Sequence, residues 1–381
     1  MTHPVDAALW STRPDVYAHV ENGIGYLALN RPKALNALSG LMVREMAQAL
    51  QAWRDDPAVL AVVVYSPHPR AFCAGGDIRF LYDAHQRGAA AEIDAFFIDE
   101  YKLNHLIFCY PKPYIALLNG VVMGGGMGIS QAAAHTGGLR IVGAGARLAM
   151  PETKIGLFPD VGISWFLARC PGALGAYLGV SGNQIHAADA LYAGLADLLV
   201  PDTALGTLHA TLQAGRWRSG AEIVAHLQAQ AATAVAAQPQ PQPVSVLQTH
   251  RSAIDLHFGQ PTLAAVLASL DHAAQAGDHW AAATAKELHG RSPLSMALSF
   301  ELIQRARTAS MAQVLRTDLD LVHTSFSSGD VVEGIRAVIV DKDHAPQWRP
   351  ARVADLDAQQ VAAMFVSRWD APCHPLSALH D

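Results

Sequence analysis

Three segments of the chain combine residue types and spacings that can do chemistry: 71–78 (AFCAGGDI), 121–130 (VVMGGGMGIS) and 150–162 (MPETKIGLFPDVG). In the first two, an apolar run gives way to glycines. A missing Cβ leaves backbone N–H groups uncovered and lets a ligand come close. Two such N–H groups from separate segments, directed at one point, would form an oxyanion hole. That device stabilises an enolate or tetrahedral oxyanion derived from a thioester, and losing one donor costs about 3 kcal/mol. A helix opening near Gly126 would add the positive end of its dipole. One glycine cluster alone is more often a tight turn or a close packing contact. The run Gly124-Gly125-Gly126-Met127-Gly128 lacks both the Lys-Ser/Thr of a phosphate loop and the full G-x-G-x-x-G spacing of a dinucleotide site.

The third segment supplies carboxylates, Glu152 and Asp160. Gly156 and Pro159 between them break regular structure, so the segment can fold back and bring both acids to one pocket. The flanking Met150-Pro151 and Leu157-Phe158 suit an interior better than an exposed loop. Acids in such surroundings are candidates for shifted pKa values and for catalysis. The plainer alternative is a turn-capping Glu152 and a solvated Asp160.

Taken in order, the F-C-A-G-G-D-I, M-G-G-G-x-G and M-P-E-T…G-L-F-P-D-V-G blocks resemble the 3-hydroxyisobutyryl-CoA hydrolase family of the crotonase superfamily. NRPKALNAL (30–38), DEYKLN (99–104), KPYIALLNG (112–120) and EGIRAVIVDKD (333–343) extend the resemblance from Tyr17 to Trp348. It implies that the Gly76 and Gly125 amides form the oxyanion hole. It implies that Glu152 is the catalytic residue, attacking the thioester carbonyl to give a mixed anhydride or activating water. Asp160 is then its hydrolase-specific partner, and Glu100 a pocket residue that positions the substrate or Glu152. Gly75, Asp77 and Lys33 are the implied substrate-binding neighbours, with Lys33 or Lys342 reaching the CoA phosphates.

Related hydratases carry a second catalytic glutamate where Gly128 stands. Adding water across C=C needs one group for the water proton and another for the α-carbon proton, and Gly128 supplies none. The implied activity is therefore hydrolysis of a short β-hydroxyacyl-CoA, with (S)-3-hydroxy-2-methylpropanoyl-CoA from valine breakdown as the first candidate. No cofactor is implied beyond the coenzyme A of the substrate. Enoyl-CoA hydration or isomerisation, and a catalytically silent acyl-CoA-binding protein, are the alternatives.

These residues need elements to hold them. Residues 16–30 alternate as two strands around Asn22-Gly23, a hairpin signal. Ser39 can cap a helix to about Asp55, with Met42, Met46, Leu50 and Trp53 on one face. The runs 60–65 and 114–118 read as buried strands. A helix over 93–108 places Glu100 one position from Tyr101 on its apolar side, and 140–150 suggests two strands bent at Gly143-Ala144-Gly145. The resulting α/β pattern fits the crotonase-type spiral of ββα units over 13–228. The stretch 229–245 reads as an extended Gln/Pro-rich linker. Residues 246–381 read as a helical C-terminal region, in which Ser292-Pro293 is a helix start.

Composition narrows the class further. The chain has 381 residues, 51% hydrophobic and 16% charged, with a formal net charge of −6. That is a folded balance and a poor match to nucleic acid. Four scattered cysteines without a C-x-x-C pair suggest reduced thiols and a cytoplasmic protein. No N-terminal signal sequence and no apolar run of spanning length is visible, so no membrane partner is expected. The 18 histidines show no ligand spacing, so no metal is expected. His250, His257 and His272 fall on helical surface, and the Asp341-Lys342-Asp343 run reads as a charged turn. Crotonase-type chains commonly assemble as trimers or hexamers, which is the expectation for this one.

Overall fold

The computed structural model describes residues 10–238 and 243–381. Val16–Glu21 (β1) and Ile24–Leu29 (β2) pair antiparallel with Glu21 opposite Ile24. Their two-residue turn has both φ angles positive, Asn22 at 49° and Gly23 at 77°, the geometry that matches the twist of a hairpin. The later strands are Ala61–Tyr65 (β3), Ala71–Cys73 (β4), Tyr114–Leu118 (β5), Val121–Met123 (β6), Leu139–Gly143 (β7), Arg147–Ala149 (β8), Ile185–His186 (β9) and Leu198–Val200 (β10). They form two sheets, β1-β2-β3-β5-β7-β10 and β4-β6-β8-β9. In the larger sheet every pair after the hairpin is parallel.

The chain packs into two compact units that interleave in sequence. The first holds the residues up to Gly76, Lys102–Leu148 and Ile185–Gln248; the second holds Asp77–Tyr101, Ala149–Gln184 and Thr249–Asp381. In the first, Tyr26, Val63, Ile115 and Ile141 of the larger sheet meet Leu205, Leu208 and Leu212 of helix Asp202–Ala214 and Ile223 and Leu227 of helix Gly220–Ala236. Every residue of β3 and β5 is buried. That explains why these strands read as unbroken apolar runs and do not alternate.

The second unit is mainly helical. It includes the helices Leu263–Gln275, His279–His289, Pro293–Ala306 and Met311–Ser328. Ser292 caps the third of these, accepting from the Ser295 amide with Pro293 in the first turn, and Ser310 with Gln313 forms a reciprocal capping box on the fourth.

Two expectations need correction. The helix Gly220–Ala236 runs well into the stretch read as an extended linker. The segment 229–236 (AQAATAVA) is alanine-rich and contains no proline, so helix propensity prevails until the Gln-Pro alternation begins; residues 239–242 of that alternation lie outside the described residues. His257 is buried, not on the surface, with Nδ1 2.7 Å from Ser269 Oγ. Its helix, Arg251–Phe258, turns Ile254, His257 and Phe258 inward together, and these fall at the i, i+3, i+4 positions of one helical face.

The strands at 16–30, the helix capped by Ser39 (Gly40–Arg54) and the helix Ala90–Phe108 stand within a few residues of their expected places. No helix among the described residues is long and apolar enough to cross a membrane.

Candidate active site

The second unit gathers four acids. Glu152 opens the short 3-10 turn Glu152–Ile155, which Gly156 ends in a left-handed conformation (φ 75°), donating its N–H to the Glu152 carbonyl. A second turn follows at Asp160, with Val161 at φ 55° and Gly162 at φ 75°. Gly156 must be glycine twice over: its φ is left-handed, and a Cβ there would lie 2.3 Å from the Asp330 carbonyl oxygen. The two reversals carry both Glu152 and Asp160 inside, and each is nearly fully buried. Glu100 and Tyr101 reach the same neighbourhood from helix Ala90–Phe108, and Tyr101 Oη donates to Asp160 Oδ2 at 2.7 Å. Asp318, from helix Met311–Ser328, accepts the Gly162 amide at 2.9 Å.

Burial dominates the electrostatics. It pushes the Glu152 carboxyl well above the usual range, and the charges of Asp160 and then Glu100 push the same way. Glu100 is raised by burial and then by Asp160, and so is Asp318. Asp160 is raised to about 6 by burial, against the hydrogen bonds from Tyr101 and from the backbone that favour its charged form. Asp160 is thus the hub of the cluster and the acid that the protein does most to keep ionised. Burial and the charge of Asp160 thus oppose ionisation at Glu100, Glu152 and Asp318 alike. Glu100 Oε1, Glu152 Oε2 and Asp318 Oδ1 have no hydrogen-bond partner among the described residues, which is unusual for buried oxygens.

The glycines belong to the first unit. Strands β4 and β6 run parallel side by side, and each ends in a glycine turn. Gly75 has φ 110° and Gly124 has φ 49°. The Gly75 carbonyl accepts the Leu38 amide at 2.8 Å. A Cβ on Gly75 would stand 3.7 Å from the Gly125 nitrogen, so the two turns abut. Gly125 opens helix Gly125–Gln131, where first-turn amides have no partner within the helix. Among the described residues, neither the Gly76 nor the Gly125 N–H donates a hydrogen bond within the protein. Gly126 lets the helix sit on β4, since a Cβ there would approach the Cys73 carbonyl oxygen to 2.5 Å. Gly128 is buried inside the same helix.

Other sequence-level candidates have different surroundings. Asp77 caps helix Ile78–Gln86, its side chain accepting the Phe80 amide, a structural use for that carboxylate. Lys33 is exposed on the turn Pro32–Ala34. Lys342 is exposed between Asp341 and Asp343, both paired with Arg336 at 2.6 and 2.7 Å; this is the charged turn that the sequence suggested.

Sequence reasoning missed the parts played by Tyr101 and Asp318. In the sequence pattern Tyr101 reads only as part of the apolar side of its helix. Asp318 did leave a signal, because it shares a helical face with Val314, Leu315, Leu319 and Val322, all buried. An aspartate on an apolar face either snorkels or has a partner inside.

This arrangement of two sheets with a helical C-terminal region is the crotonase fold. The chain belongs to the enoyl-CoA hydratase/isomerase family of acyl-CoA enzymes, whose family model matches residues 24–365. Over 359 residues it is 36% identical to 3-hydroxyisobutyryl-CoA hydrolase 1 of Arabidopsis thaliana, covering 93% of this chain and 92% of that protein. It is 34% identical over 343 residues to the mitochondrial 3-hydroxyisobutyryl-CoA hydrolase of Rattus norvegicus, covering 90% and 86%. Among solved structures it is similar to a carnitinyl-CoA dehydratase from Mycobacterium thermoresistibile. That match has a TM-score of 0.82 and 36% identity, and it covers 93% of this chain and 97% of the other.

Proposed function

We propose that the protein hydrolyses a short β-hydroxyacyl-CoA thioester, with 3-hydroxyisobutyryl-CoA as the preferred candidate substrate. In this scheme the Gly76 and Gly125 amides hold the thioester oxygen as negative charge develops on it. Ionised Glu152 either attacks the carbonyl, expelling the CoA thiolate and leaving a mixed anhydride that water opens, or deprotonates the attacking water. Asp160, oriented by Tyr101, holds the substrate β-hydroxyl or that water, while Glu100 positions the substrate or Glu152 through the shared acid cluster.

The observation that carries the proposal is the burial of Glu152 and Asp160 in one electrostatic neighbourhood, with a hydrogen-bond donor dedicated to Asp160. Gly128 adds support: it is buried in the helix after the glycine turn and provides no second catalytic side chain there. The likeness to hydrolases from a plant and a mammal points the same way. A second reading, hydration or dehydration of an acyl-CoA, draws support from the similar structure named a dehydratase. The two are separated by measuring free thiol from 3-hydroxyisobutyryl-CoA beside loss of enoyl absorbance from the matching enoyl-CoA. Thiol release without hydration supports hydrolysis; hydration without thiol release refutes it.

A further inference from the structure

We infer that Asp318 is a positioning residue for Asp160: by accepting the Gly162 amide it holds the left-handed Asp160-Val161-Gly162 turn that sets where the Asp160 carboxylate points. This deepens the proposed hydrolysis and rests on Asp160 having a role in it.

Val161 is β-branched yet adopts φ 55°, a region such residues rarely occupy and hold only when their surroundings impose it. The imposition comes from helix Met311–Ser328. Gly162, at φ 75°, faces that helix so closely that a Cβ would stand 2.6 Å from Met311 Sδ and 3.2 Å from Leu315 Cδ2. Asp318, one turn further on, is 0% exposed and receives the Gly162 N–H at 2.9 Å. The turn is closed on its other side by the Ile163 amide, which donates to the Asp160 carbonyl at 3.0 Å. Tyr101 Oη then fixes the Asp160 side chain itself at 2.7 Å. The turn that carries Asp160 is therefore held from Asp318 at Gly162, and the Asp160 carboxylate from Tyr101.

A buried acid on an apolar helical face is costly to keep, and a stability role alone would be better served by leucine. Burial, and then the charge of Asp160, also favour the protonated form of Asp318. Asparagine, which keeps an acceptor oxygen and the shape of the neutral acid, should therefore replace it.

The test uses the full chain with Asp318→Asn, Asp318→Ala, Asp160→Asn and the Asp318→Ala/Asp160→Asn double variant. It reads thiol release from 3-hydroxyisobutyryl-CoA together with hydrogen exchange at the Gly162 amide. Asp318→Asn should keep kcat within about threefold of the parent chain and keep Gly162 protected. Asp318→Ala should lower kcat by about tenfold or more with KM less affected, and should speed Gly162 exchange by about tenfold or more. In the double variant the loss should be no greater than that of Asp160→Asn alone, the non-additivity expected when one residue acts through another. Independent, multiplying losses would overturn the inference, as would an Asp318→Asn variant as impaired as Asp318→Ala. Unchanged Gly162 exchange in Asp318→Ala would overturn it whether or not that variant is stable. If the parent chain releases no thiol, the proposed hydrolysis fails, and the exchange comparison alone decides whether Asp318 holds the turn.

Discussion

At Glu152 the two demands that the proposed catalysis makes on a carboxylate conflict: burial strengthens its charge interactions but holds its proton. The charge of Asp160 makes ionising Glu152 harder still, so in the proposed hydrolysis the order in which these acids lose protons would set the activity. Glu152→Gln keeps the shape and removes both nucleophile and base. It should lower kcat by about 10²- to 10⁴-fold with acyl-CoA binding nearly intact; a variant keeping more than about a tenth of kcat removes Glu152 from the chemistry. Asp160→Asn is read on paired substrates, with and without the β-hydroxyl. A loss of about 10²-fold confined to the hydroxylated substrate assigns Asp160 to the hydroxyl, and equal losses assign it to water. Both acids were legible as candidates, because Glu and Asp between proline, glycine and apolar residues have little reason to sit in an exposed loop. Tyr101 was not: a tyrosine on an apolar helical stripe looks the same whether its hydroxyl meets solvent or a carboxylate.

Among the elements, the parallel pair β4 and β6 is short but decides where two free amides lie. Gly126 is the spacer between helix Gly125–Gln131 and β4, with a Cβ at that position meeting the Cys73 carbonyl oxygen at 2.5 Å and its Cβ at 2.9 Å. Gly126→Ala should destabilise the fold by about 1–3 kcal/mol, as overpacking does. It should also lower kcat more than KM rises, because the Gly125 amide is displaced. Unchanged melting and unchanged kcat together would show that the helix is free to move away from the strand. The longer elements could be read from local pattern: the Asn22-Gly23 turn, the Ser39 and Ser292 caps and the apolar runs of β3 and β5 each state their geometry within a few residues. Strands β4 and β9, of three and two residues, leave no period to read, since only partners distant in sequence define them. The overrun of helix Gly220–Ala236 has the opposite cause. The Gln-Pro alternation lies beyond an alanine-rich segment whose own propensity is helical.

For the molecule as a whole, the acid cluster makes stability depend on pH. In the unfolded chain its carboxyls titrate near ~4, whereas in the folded chain Asp160 titrates at about 6 and Glu100, Glu152 and Asp318 are raised by burial. Below ~4 both states are protonated and the cluster's contribution is fully present. As pH rises the unfolded chain releases these protons first, so stability is lost through pH 6 and beyond. Glu100→Gln removes one of these acids while keeping its neutral shape. Its melting temperature should match the parent's near pH ~4 and exceed it increasingly toward pH ~8. A constant offset across that range would show that Glu100 does not titrate with the cluster. The central claim, that this crotonase-family chain cleaves thioesters, is tested most directly by following coenzyme A thiol from 3-hydroxyisobutyryl-CoA with the parent chain and Glu152→Gln side by side. Steady thiol release by the parent, lost in the variant, is the predicted result. Robust hydration of the corresponding enoyl-CoA with no thiol released would contradict it.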